Sequence, residues 1–138
     1  MVEIEVHYEG ALHTRCVHGP SQAVTETDAP RDNHGLGESY SPTDLVATAL
    51  GSCMLTVMGI VARNHDWKLD GSKARIEKHM VEEPTRRIGR LVVEMAMAPG
   101  LPADSRVVLE RAARTCPVAE SIHPGIEVDL RFHWSGSR

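Results

Sequence analysis

Aromatic side chains are scarce: one Phe, two Tyr and two Trp in 138 residues. Few flat faces are left on which bases or sugars could stack, which disfavours single-stranded nucleic acid and carbohydrate as ligands. A basic excess is missing too. Fifteen Lys and Arg stand against nineteen Asp and Glu, for a net charge of −4, whereas a nucleic-acid binder gathers positive charge on one face. Cysteine is sparse and odd in number, three in all, so no disulfide framework is expected. The eight histidines form no His-Glu-x-x-His and the cysteines no Cys-x-x-Cys, which leaves no compact metal motif and no expected metal or cofactor. The pair Gly35 and Gly37 lacks the third glycine and the lysine of a phosphate cradle. The opening Met1-Val2-Glu3-Ile4-Glu5-Val6 has neither the basic start nor the apolar run of a secretory signal, so a cytoplasmic setting with thiols at rest is the expectation.

What remains is one domain of ordinary size, residues 1–138, with 41% hydrophobic and 25% charged residues. A chain of this length buries about 65–70% of the surface it exposes when unfolded, enough for a core without staples. Val2, Ile4, Val6 and Tyr8 alternate with Glu3, Glu5, His7 and Glu9, the period of a half-buried strand. Looser alternation over residues 11–18 and 22–25, broken at Gly19-Pro20-Ser21, predicts a three-stranded meander. Residues 28–40 read as an irregular loop. Ser41-Pro42-Thr43-Asp44 combines a Ser cap, Pro at the first helical position and an acid three residues after the cap. The helix it opens should run to Arg63 or Asn64. Its span 45–62 carries no charge, too polar in its Thr, Ser and Gly content for a membrane span, so it must be enclosed by protein on all sides, either by a curled sheet or by a second copy of the chain.

Two long strands follow, over residues 67–80 and 87–98, the second placing Leu91, Val93, Met95 and Met97 on one face. A short helix with Val108, Leu109 and Ala112 on its apolar stripe ends near Arg114. Cys116-Pro117 starts another. The last strand alternates Ile126, Val128, Leu130, Phe132 and Trp134 with charged residues. The class is α+β, with antiparallel strands around one long helix.

Each cysteine has its own setting. Cys53, in Ala49-Leu50-Gly51-Ser52-Cys53-Met54, lies deep in the uncharged helix and reads as a small core hydrophobe. Cys116 precedes a proline at a helix start, where free N–H groups favour a thiolate, although Glu120 one turn on opposes it. Spacing alone thus makes Cys116 the better nucleophile. Cys16, on a short strand, faces away from its neighbour Arg15.

The segment from Ser41 to Cys53, followed far downstream by Thr115-Cys116-Pro117-Val118-Ala119 and an amphipathic strand, resembles the OsmC/Ohr family of thiol-dependent hydroperoxide reductases along nearly the whole chain. The resemblance implies an OsmC-like fold, with sheets wrapped around the long helix in an intertwined homodimer. It also implies that Cys53 is the peroxidatic residue and Cys116 the resolving one, with an organic hydroperoxide as substrate and a lipoyl-type or small dithiol as external reductant. Leu45, Met54 and Met58 are expected to line an apolar approach. Where the best-characterised branch carries an activating Arg in the meander and a Glu after the helix-start Pro, this chain has Thr43 after Pro42. Arg15, Glu38 and Asp44 are the charged residues available in their place. With that pair altered, two other readings stay open: a small-molecule binding module, and a slow thiol redox sensor. Neither nucleic acid nor a membrane is an expected partner.

Overall fold

The computed structural model describes residues 1–135. The chain forms two compact units, one ending at Val46 and the other beginning at Ala47. In the first, β1 (Ile4–Tyr8), β2 (His13–His18) and β3 (Val24–Asp28) make the predicted meander, antiparallel throughout. Gly10, at φ +86, turns the first corner, a conformation that costs glycine nothing. Register puts Ile4, Val6 and Tyr8 opposite His18, Cys16 and Thr14, so the apolar residues of β1 share one face with Cys16. That face is not covered within the protomer. All five β1 residues are exposed, against the expectation of a half-buried strand.

After β3 the loop folds back on itself. The Asp28 N–H donates to the Tyr40 carbonyl at 3.0 Å and the Gly35 N–H to the Pro30 carbonyl at 2.9 Å. A Cβ on Gly35 would lie 1.7 Å from the Ala29 carbonyl oxygen, so this glycine is required by a close backbone approach. The long helix α1 (Pro42–Asn64) then begins where its signals placed it. The Asp44 N–H donates to Ser41 Oγ at 3.1 Å and the Ser41 N–H to Asp44 Oδ2 at 2.9 Å, a reciprocal capping box.

The second unit continues α1 with β4 (Lys73–Val81), β5 (Arg87–Met97), α2 (Ser105–Arg114), α3 (Pro117–Ser121) and β6 (Glu127–Trp134). The α+β class holds, with one correction to the expected antiparallel order. β4 and β5 pair antiparallel, but β5 and β6 pair parallel, Leu91 opposite Val128 and Met95 opposite Phe132. A parallel pair needs a crossover, and α2 with α3 supplies it.

Side-chain alternation gives this sheet two unlike faces. On one, Leu91, Val93 and Met95 are fully buried and Met97 nearly so. The helix α1 lies against it, so closely that a Cβ on Gly51 would come 2.2 Å from Ile76 Cδ1. Its buried stripe is Ala47, Leu50, Met54, Met58 and Ala62, the three-and-four spacing of one helix face. α2 meets β6 through Trp134 Nε1–H donating to Glu110 at 3.0 Å, with the Arg106 guanidinium 5.4 Å above the Trp134 ring. The other sheet face is a lattice of ion pairs, Arg90 with Asp129 at 2.7 Å, Arg131 with Asp129 at 2.7 Å and Arg75 with Glu77 at 2.8 Å.

The helix is not enclosed on all sides within the protomer. Thr48, Ala49, Ser52, Thr56 and Ile60 are exposed along its length. By length and composition α1 could cross a membrane; its other stripe, however, is the core of the second unit.

Candidate functional site

Cys53 and Cys116 come from different elements of the second unit and meet. Cys53 sits mid-helix on α1, two residues past the glycine that lets the helix press onto the sheet. It is partly exposed, and Ser52 beside it is open to solvent. Cys116 is the N-cap of α3, in extended conformation ahead of Pro117, and is completely buried. Its Sγ accepts the Ala119 N–H at 3.4 Å, and its thiol is within hydrogen-bonding reach of the Cys53 side chain. Both cysteines are free thiols.

The electrostatics count against the thiolate that spacing suggested at Cys116. Burial pushes the Cys116 thiol above its ordinary value. The Ala119 N–H pulls the other way, and the neighbouring Cys53 adds to the rise. Desolvation therefore outweighs the amide, and Cys116 is held as a neutral thiol. Glu120 donates its backbone N–H to the Cys116 carbonyl at 3.0 Å, and its side chain is exposed. Of the two thiols, Cys53 is the one that can be reached from outside.

Two expected lining residues belong elsewhere. Met54 and Met58 are fully buried in the core and form no part of an approach, because their helix face is the one pressed onto the sheet. Leu45 is partly exposed, on the first turn of α1.

Arg15, Glu38 and Asp44, the possible activating residues, lie in the first unit. Arg15 is exposed on β2, in register with His7 and Glu26, while Cys16 on the opposite face has its Sγ 3.7 Å from Thr14 Oγ1. Asp44 is engaged in the capping box, and nine residues on a regular helix put it about half a turn away from Cys53. Glu38 has an exposed side chain, and its N–H donates to Asp28 Oδ2 at 3.0 Å.

That last contact belongs to a cluster that the linear sequence does not reveal. Across β2 and β3, His13 pairs with Asp28. Protonated on both nitrogens, its ring donates Nδ1–H to Asp28 at 2.6 Å and Nε2–H to Glu26 at 3.0 Å, with Glu9 at 3.6 Å. The hydrogen bond to Asp28, then that to Glu26, raises the His13 pKa; the bond from His13 in turn lowers that of the nearly buried Asp28. When protonated, the ring ties three segments of the meander together. The strand register could have disclosed it, since His13 opposite Asp28 follows once β2 and β3 are aligned.

The OsmC-like protein family model matches residues 35–131, a span that includes both meeting thiols. The chain belongs to the OsmC-like family. Among solved structures it is similar to a Psychrobacter arcticus 273-4 protein provisionally described as an osmotic stress induced and detoxification response protein, with 41% identity over 96% of each chain and a TM-score of 0.91. More distant OsmC-like folds include an organic hydroperoxide resistance protein OsmC from Legionella pneumophila, 18% identical over 96% of each chain with a TM-score of 0.76. Another, from Elizabethkingia anophelis, is an organic hydroperoxide resistance protein with 17% identity, covering 96% of this chain and 94% of that one, with a TM-score of 0.72. No curated protein matches the chain.

Proposed function

We propose that this OsmC-like protein reduces organic hydroperoxides with its own two thiols. The observation that carries the reading is the meeting of a partly exposed Cys53 with a wholly buried, neutral Cys116. Family membership and the organic hydroperoxide resistance proteins of the same fold add support. The Cys53 thiolate attacks the outer peroxide oxygen, the O–O bond breaks, and the departing alkoxide takes a proton and leaves as an alcohol. Cys53 is left as a sulfenic acid. Cys116 attacks its sulfur, water leaves, and a Cys53–Cys116 disulfide forms. An external dithiol, of lipoyl type or a small molecule, returns both thiols by exchange, with no bound cofactor.

The working unit is a homodimer in the cytoplasm. Two features support a second copy as partner: the uncharged stripe Thr48, Ala49, Ser52, Thr56 and Ile60 left open on α1, and the β1 face, where Ile4, Val6 and Tyr8 are each over half exposed. An exposed apolar row such as that of β1 is a feature of interfaces in soluble proteins.

The test is consumption of cumene hydroperoxide with a dithiol reductant. Cys53→Ser should abolish turnover, and Cys116→Ser should leave a sulfenic acid on Cys53 after one turnover, visible as a dimedone adduct. Undiminished turnover in Cys53→Ser would sink the assignment.

A further inference from the structure

The dithiol reading leaves open which of the two sulfurs the reductant attacks. We propose, resting on that reading, that the incoming thiolate attacks Cys53 Sγ, and that Cys116 departs as a thiolate received by the Ala119 backbone N–H.

Access and the leaving group point the same way. Thiol–disulfide exchange is a displacement in which the attacking sulfur approaches along the disulfide axis, from behind the sulfur it attacks, and its rate depends on reach and on how well the leaving thiolate is stabilised. Cys116 offers no such approach from solvent: the residue has no exposed surface, and its sulfur is in contact with the Ala119 N–H at 3.4 Å. A reductant would have to displace packed protein to arrive there. Cys53 itself is partly exposed and lies off the row Thr48, Ser52, Thr56 and Ile60 assigned to the second copy. The Ala119 amide is placed to receive Cys116 as a leaving group. A thiolate formed at this buried position has a hydrogen-bond donor already aimed at it, and the cost of creating charge there is partly offset. Ala119 is thus a positioning residue through its backbone, acting on Cys116.

The steps balance as follows. The first thiolate of the dithiol bonds to Cys53 Sγ as the Cys53–Cys116 bond breaks, and the electron pair goes to Cys116 Sγ, which then takes a proton released by the dithiol. The second thiol of the reductant, deprotonated, attacks its partner sulfur. The mixed disulfide breaks, Cys53 leaves as a thiolate, and the reductant departs as a cyclic disulfide, oxidised by two electrons. In the next cycle Cys53 is already the free nucleophile, while Cys116 is back on the Ala119 N–H.

The experiment begins from the disulfide made with diamide in a Cys16→Ser background, so that it does not depend on peroxide. Excess N-acetylcysteamine is added, the reaction is quenched in acid, free thiols are alkylated with N-ethylmaleimide, and the peptides are mapped by mass spectrometry. The adduct is expected on Cys53 and the alkyl group on Cys116, at least tenfold over the reverse. Equal labelling, or the adduct on Cys116, overturns the proposal. In the Cys53 adduct, the 15N-resolved Ala119 amide proton should shift with pH as Cys116 ionises; an amide that does not move overturns the role of Ala119. If diamide forms the disulfide and cumene hydroperoxide does not, the peroxidase reading falls and the direction of attack is still measured. If neither oxidant forms it, both fall.

Discussion

Two sheets in this chain carry the same alternating code and meet different fates. In the first unit Ile4, Val6 and Tyr8 alternate as regularly as Leu91, Val93 and Met95 do in the second. Yet the former are exposed by 61, 62 and 68%, and the latter by none of their surface. Alternation specifies which side chains share a face. It does not specify what will cover that face. The second sheet has α1 and α2 of its own unit against it, whereas the first relies on its ladder of backbone hydrogen bonds and on the His13 clamp. One sheet is held chiefly by removal of apolar surface from water, the other chiefly by polar contacts and by whatever covers β1 in solution.

The largest effect that would separate them is on the folding of the chain itself. Leu91→Ala should cost about 2–5 kcal/mol in urea unfolding, the range for a large core side chain cut to Ala. Val6→Ala should cost under about 0.5 kcal/mol at low protein concentration, as exposed sites do. Its cost should grow with concentration if a second copy covers β1. A loss at Val6 equal to that at Leu91 at every dilution would show that the first sheet is cored like the second. Next in size is Gly35→Ala. The methyl group cannot share space with the Ala29 carbonyl, so the loop should open at a cost of about 1–3 kcal/mol, read as faster amide exchange at Gly37 with the second sheet unaffected.

A smaller effect, and one confined to the first unit, is the pH response of the clamp. His13 has a raised pKa, so its contribution is fully present below its unfolded value and is lost as pH rises through the folded one. Asp28 has a lowered pKa, so its contribution is present above its unfolded value and is lost as pH falls through the folded one. The clamp is therefore strongest between about pH 4 and pH 6.5. Amide protection on β2 and β3 should exceed that of His13→Gln in this window and converge with it at alkaline pH; a constant difference would show that the ring acts by packing alone. The smallest effect is expected on the outer face of the second sheet, where Arg90→Gln should cost under about 1 kcal/mol, as partly exposed ion pairs do.

The parts of the fold that the sequence predicted are those governed by neighbours in the chain. The Ser41–Asp44 box, the start of α3 at Pro117 and the strands near Leu91 and Phe132 all rest on short-range spacing, and all are found. The parallel pairing of β5 and β6 was hidden, because an amphipathic strand presents the same alternation whichever way its neighbour runs. The acidity of Cys116 was misjudged for a related reason. A cysteine at a helix start suggests a lowered pKa, and only the packed structure shows the burial that outweighs the amide. The juxtaposition of Cys53 and Cys116 was available through family resemblance, whereas spacing alone gave no sign that the two thiols meet. The His13 cluster escaped because its four members come from three segments joined only by register.

The crossover between β5 and β6 also sets an order of events in time. Hairpins such as β4–β5 close over short loops, but β6 cannot find β5 until the chain between them has folded back, and such long-range pairings are the slow ones. Cys116 rides on that returning segment, while Cys53 belongs to a helix whose local contacts form early. During synthesis the first thiol therefore waits, without its mate, until the segment carrying Cys116 has emerged and folded back. The meeting of the two thiols would then be a late event, one that reports that the crossover has folded back.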